Sequence, residues 1–187
     1  MELLGGSAYS FNSTLEIRQE GQPEISRSAR WDTKPFSDSP YYAARLSLWS
    51  GSGAWELQLI HHKAYLSNTD AEIERFEVTH GYNLVTFNRA FTLGRFIGRA
   101  GLGFVVAHSE SVVRGVFEKG HYVVTGPTGE LGFQKRWNVL SRLSVSADVE
   151  LTASRAEVPV AGGEASAPNF ALHFRVGIGY RVFGPSN

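Results

Sequence analysis

The sequence has no cysteine. That excludes disulfides, thiolate metal sites and cysteine nucleophiles, and it leaves the redox compartment open. Net charge is absent too, because 18 Lys and Arg are matched by 18 Asp and Glu over 187 residues. Without a net field to hold a polyanion, nucleic acid drops out as a partner. No run of about 18 apolar residues occurs, so a helical membrane span is excluded. A signal peptide is missing as well, which for an envelope protein implies a processed or recloned chain with Met1 added. Helical periodicity is scarce throughout.

What the chain has in its place is alternation. Residues 142–152 put Leu143, Val145, Ala147, Val149 and Leu151 on one face, and Arg142, Ser144, Ser146, Asp148, Glu150 and Thr152 on the other. Residues 170–183 set Phe170, Leu172, Phe174, Val176, Ile178, Tyr180 and Val182 against His173, Arg175, Gly177, Gly179 and Arg181. With 20 Gly and 12% aromatic residues, this is an all-β profile. Six further segments, at 9–19, 41–49, 54–66, 74–88, 96–107 and 122–134, have about the 9 to 11 residues that a tilted strand needs to cross a bilayer. Pro127 cannot donate to a ladder and predicts a bulge or break in the sixth.

The connections alternate in length. Those at 50–53, 89–95 and 135–138 are short, whereas 20–40, 67–73, 108–121 and 154–168 are mostly longer and polar. Short periplasmic turns and long outer loops are the pattern of membrane barrels. The expectation is a single domain over residues 1–187: an all-β, eight-stranded antiparallel up-and-down transmembrane β-barrel, monomeric, in the bacterial outer membrane, with both termini in the periplasm.

The rows assigned to the lumen hold Arg18, Arg45, Arg75, Arg99, Arg142, Arg175 and Arg181 against Glu16, Glu56, Glu77, Glu130, Asp148 and Glu150. Every cation is Arg, which suits multidentate pairing with carboxylates in a confined space. Such a lumen is a plugged core and does not conduct. A soluble lipocalin-like barrel, with apolar residues inside, has no use for so many paired charges.

The histidines carry the functional signal. Strand pairing places His62 near Glu77, and His108 near Arg75 and His121, with His61 at the same height. His61, His80 and His108 fall on the lipid-facing row. An unpaired polar group in hydrocarbon costs several kcal/mol by order of magnitude, so these belong at headgroup level. Two chemistries follow: acid–base work on a lipid by His61, His80, His108 and Glu110, and a divalent metal ion held by His62 and Glu77. The plainer alternatives are interfacial histidines bonded to lipid phosphate or backbone, and a satisfied lumen pair. The glycines at 98, 101 and 103 precede no helix and are no nucleotide fingerprint. Residues 157–168, with Gly162 and Gly163, read as a flexible outer loop.

Three stretches, LIHHKAYL at 59–66, EVTHGYNLVTFN at 77–88 and GLGFVVAHSE at 101–110, resemble a group of small outer-membrane barrels that includes lipid A oxidase-like proteins. The resemblance covers about a third of the chain. It implies an oxygen-dependent enzyme modifying the proximal sugar of lipid A in the outer leaflet, with lipopolysaccharide and membrane lipid as partners. The matching positions at the rim are His61, His62, Glu77, His80, His108 and Glu110. The outer-membrane deacylases also act on lipid A, but their His-any-Ser spacing in a final strand is absent here. The alternative function is a non-enzymatic barrel that stiffens the membrane or binds partners through its loops.

Overall fold

The computed structural model describes residues 1–37 and 40–183, with the side chains of all of these except Thr79 and His80. Its strands are β1 (Glu2–Ser10), β2 (Ser13–Gln19), β3 (Ile25–Ala29), β4 (Trp31–Asp32), β5 (Tyr42–Ser50), β6 (Gly53–Leu66), β7 (Ile73–Leu93), β8 (Phe96–Val113), β9 (Val116–Lys119), β10 (Val123–Asn138), β11 (Leu143–Val160) and β12 (Gly163–Tyr180). Eight of them close a ring in the order β1, β5, β6, β7, β8, β10, β11, β12, and β12 pairs back onto β1. Every neighbouring pair is antiparallel. The remaining four continue the wall outward. β2 pairs with β3 and with the top of β12, β4 with the top of β6, and β9 with the top of β8.

Two sequence expectations are corrected here. The first ring strand is Glu2–Ser10, paired with β12 along its whole length, and most of the strand expected at 9–19 is β2, which lies outside the ring. The loops expected at 108–121 and 154–168 are mostly strand. β8 and β9 turn at Arg114–Gly115, whose φ values of 52° and 75° are those of a tight two-residue hairpin. β11 and β12 run paired up to Val160 and Gly163, so residues 157–168 are not a free loop. The bulge expected at Pro127 is present, as a register shift between Thr125 and Pro127.

These extensions escape the sequence pattern because the wall changes polarity partway up. Along β11 the inward row runs Ser144, Ser146, Asp148, Glu150, Thr152 and Ser154, then continues as Ala156, Val158 and Val160, all buried. The outward row runs Val145, Val149 and Leu151, then Arg155 and Glu157. Below the change the barrel is apolar outside and polar inside, as in a bilayer; above it the barrel is an ordinary water-soluble wall around an apolar core. That core contains Leu15, Ile17, Trp31, Phe76, Val113 and Val158, and it closes the outer end of the barrel.

The lower lumen is filled by ions. Asp148 accepts hydrogen bonds from Arg45 at 3.1 Å, Arg99 at 2.7 Å and Arg175 at 2.9 Å. Glu56 accepts from Arg99 at 2.9 Å, Glu2 from Arg45 at 3.1 Å, and Gln58 bridges to Glu130 and Glu150. All three guanidiniums are fully buried, so the pairing offsets a large desolvation cost. Membership differs from the sequence expectation. Arg18, Glu16, Arg75 and Glu77 sit above the polarity change and face outward, with Arg18 and Arg75 about half exposed.

Outside, the lower wall is a continuous apolar belt. Leu3, Leu46, Leu57, Phe87, Leu102, Leu131 and Phe174, from seven different strands of the ring, are more than half exposed, and Leu102 reaches 77%. A patch of that extent is stable only when something apolar covers it. On a closed barrel with no free edge, that cover is the hydrocarbon of a bilayer.

Candidate functional site

Above the belt on the β5–β8 side, the outward row turns polar. Register sets Tyr42 of β5, His61 of β6, Asn83 of β7 and Val106 of β8 side by side. The His61 and Tyr42 rings stack with centroids 5.1 Å apart. Asn83 Nδ2 donates to the carbonyl of Val106 at 3.2 Å, which fixes the amide with its oxygen toward His61. His61 Nδ1, 2.7 Å from that oxygen, must therefore carry the proton and donate it. In the neutral ring this leaves Nε2 as a bare lone pair. It is buried and has no hydrogen-bond partner among the described residues. A neutral imidazole oriented through one nitrogen and unpartnered at the other has the lone pair that a general base or a metal ligand needs.

The next step outward contains an irregularity. Between Val78 and Tyr82, β7 takes four residue steps where β6 (His62 to Ala64) and β8 (Ala107 to Ser109) take two. The bulge includes Gly81 at φ 135°, where a Cβ would lie 1.8 Å from Asn83 Nδ2. Only glycine allows the backbone to turn there with Asn83 against His61. His108 of β8 faces outward at this height, its ring 4.9 Å from that of Tyr122. Tyr122 is more than half exposed, whereas His108 is buried. His80 belongs to the bulge, and its side chain lies outside the described residues.

One step further out, Glu77 stands opposite Glu110, and Arg75 bridges the two, 3.0 Å from Glu110. Lys119 of β9 reaches Glu110 at 3.4 Å. On the β6 side Lys63 donates to the carbonyls of Lys34, at 3.1 Å, and Ser37.

The structure therefore joins His61, His108, Glu77 and Glu110 on one outward surface, and it separates His62 from them. The expected proximity of His62 to Glu77 fails for two reasons. The ladder pairs His62 with Tyr82 and Glu77 with Tyr65, three residues further along β6. In addition, His62 points into the lumen while Glu77 points out. His62 is fully buried, 3.2 Å from Ser10 Oγ and edge-on to His173 at 5.2 Å between centroids. His173 in turn is held by Tyr41 at 2.7 Å and Thr152 at 2.9 Å. Among the described residues no group of three or more His, Asp or Glu is placed to hold a metal ion.

Sequence reasoning missed Asn83 as a site residue, and Tyr42 and Tyr122 as the ring contacts of the two imidazoles. Asn83 was findable: it is a carboxamide in a row otherwise made of Val85 and Phe87.

No protein-family model matches the chain, and no curated protein matches it. Solved structures resemble it at low identity. The outer membrane protein OprG from Pseudomonas aeruginosa is 12% identical with a TM-score of 0.49 over 96% of each chain. Neisserial surface protein A is 6% identical, with a TM-score of 0.45 over 96% of this chain and 95% of its own. Ail, the attachment invasion locus protein of Yersinia pestis, is 11% identical, with a TM-score of 0.43 over 96% and 95%. A closed ring of eight antiparallel strands, ion-filled within and belted by apolar side chains without, is a transmembrane β-barrel of the bacterial outer membrane.

Proposed function

We propose that the barrel acts on lipopolysaccharide from the side, with the sugar headgroup of lipid A lying against the outward surface of β6, β7 and β8. The observation that carries this reading is the ladder just above the belt: His61 with its bare Nε2, then His108 beneath Tyr122, then the Arg75, Glu77 and Glu110 cluster. Charges already neutralised in pairs, interleaved with tyrosine rings, suit hydroxyls better than a free phosphate. In this reading His61 Nε2 accepts a proton from a headgroup hydroxyl or amine. His80, His108 and Glu110 complete the acid–base set, and Glu77 and Glu110 face the sugar. His62 stays in the lumen and supports the wall, so a divalent metal shared by His62 and Glu77 is not part of the proposal.

The finer chemistry implied by the resemblance is oxidation of the proximal lipid A sugar. Mass spectra of lipid A from aerobic cells with and without the protein test it. The expected result is a protein-dependent mass change that disappears in His61→Ala. Identical spectra would remove the enzymatic reading. A second reading, a barrel that binds the headgroup without changing it, is favoured by the burial of His61 and His108 beneath tyrosine rings. It predicts unchanged spectra together with lipopolysaccharide-dependent stabilisation of the folded barrel.

A further inference from the structure

The opposite end of the barrel carries a different charge pattern. The side chains of Arg89, Arg95, Lys135, Arg136, Arg142 and Arg181 all lie at the periplasmic turns or the strand ends that lead into them. Among the described residues no Asp or Glu side chain lies on the outer surface at that end; the nearest, Glu2 and Glu56, are buried in the lumen, where Glu2 pairs with Arg136 at 3.1 Å. Among the described residues, Arg89, Arg95, Lys135 and Arg142 have no ion pair. The neutrality of the whole chain therefore conceals a cationic periplasmic rim.

Two of these cations point outward into an aromatic girdle. Arg89 lies over the rings of Trp55 and Phe91, at 5.0 and 5.1 Å. Lys135 lies over Phe96 and Trp137, at 5.4 and 6.0 Å. Aromatic rings at the edge of an apolar belt mark the headgroup level of a leaflet. Beside Lys135 the lipid-facing wall is hollowed. The outward row Lys135, Ala147, Val176, Gly5 contains two small residues, and the next row up is Phe133, Val149, Phe174. Together they line a shallow groove of about 520 Å³ that has Lys135 and Phe96 at one end.

We propose that the periplasmic girdle binds anionic phospholipids of the inner leaflet, with one built seat: a lipid phosphate on Lys135 and its acyl chain along the groove across β10, β11, β12 and β1. Charge complementarity selects an anionic lipid over a zwitterionic one. The outward aim of Arg89 and Lys135, level with the aromatic rings, selects a membrane lipid over an anionic polymer of the periplasm. The reading is independent of the lipopolysaccharide surface, which lies at the other end of the barrel.

The test is native mass spectrometry of the folded barrel, released from micelles containing equal phosphatidylglycerol and phosphatidylcholine. Wild type is expected to retain phosphatidylglycerol about fivefold over phosphatidylcholine, since one cation near a charged surface contributes about 1 kcal/mol. That preference should shrink as salt is raised. The K135Q and R89Q double variant should lose it. Ala147→Phe, which fills the groove without changing charge, should lower retention of both lipids. Heat-modifiable gel mobility identifies any variant that fails to fold, and the wild-type salt titration does not depend on the variants. Equal retention of the two lipids by wild type, or undiminished preference in the folded double variant, overturns the proposal. So does rim-dependent binding to peptidoglycan sacculi without lipid selectivity.

Discussion

Asn83 shows how a single side chain sets the chemistry of its neighbour. Its amide is pinned by the Val106 carbonyl, its oxygen takes the proton of His61 Nδ1, and Nε2 is left open. Asn83→Leu should leave the barrel folded but release the tautomer, and the ¹⁵N shifts of the His61 ring nitrogens report this directly. Gly81→Ala should act on the same contact from behind. Its positive φ and the 1.8 Å approach to Asn83 make any Cβ displace the amide. Strain of about 1 kcal/mol or more is expected in the urea midpoint, together with the same change at His61. In the lumen, Asp148→Ala strips the shared acceptor from three buried guanidiniums. Removing one partner from a buried network typically costs about 3 to 5 kcal/mol, and unfolding of the refolded barrel in urea should show a loss of that size. A loss below about 1 kcal/mol would mean that water fills the lumen in its place.

At the level of elements, the loop between β6 and β7 carries a pH-dependent tie. Asp70 Oδ1 accepts from the backbone N–H groups of Ile73 at 2.9 Å and Glu72 at 3.0 Å, and its other oxygen meets Arg27. The Ile73 bond above all, with those from Glu72 and Arg27, outweighs burial and holds the carboxyl below its ordinary range. A depressed carboxylate contributes its stability above the ordinary value and loses it as pH falls through the folded one. Amide exchange at Glu72 and Ile73 should therefore be slow at neutral pH and show extra acceleration in acid, and Asp70→Asn should abolish that pH dependence.

The elements also show what alternation can and cannot reveal. The rows of β11 and β12 were legible because apolar and polar residues kept strict parity through the membrane. The outer third of each was not, because at Ser154 the inward row changes from polar to apolar and the same parity then reads as loop. Strand β1 was missed in its lower part, where Gly5, Gly6 and Ser7 give no alternation. Among site residues, the outward placement of His61 and His108 was legible from parity alone. The separation of His62 from Glu77 was not, because nothing in the sequence fixes the register in which β7 returns along β6.

For the whole molecule, three layers follow one another along the axis: a cationic aromatic rim, an ion-filled transmembrane lumen, and an apolar outer core capped by hairpins. The buried network and that core fill the lumen with side chains, so purified protein in planar bilayers should give no discrete conductance steps. Regular steps would mean that the network opens. The proposed function requires lipopolysaccharide to meet the outward surface of β6 to β8. The most direct measurement is the ¹⁵N spectrum of the His61 imidazole and the Tyr122 ring resonances, compared between nanodiscs of phospholipid alone and nanodiscs containing lipopolysaccharide. His61 Nε2 and Tyr122 are expected to shift when lipopolysaccharide is present, and His62 and His173 in the lumen to stay where they are. Unmoved His61 and Tyr122 signals would contradict the proposed function.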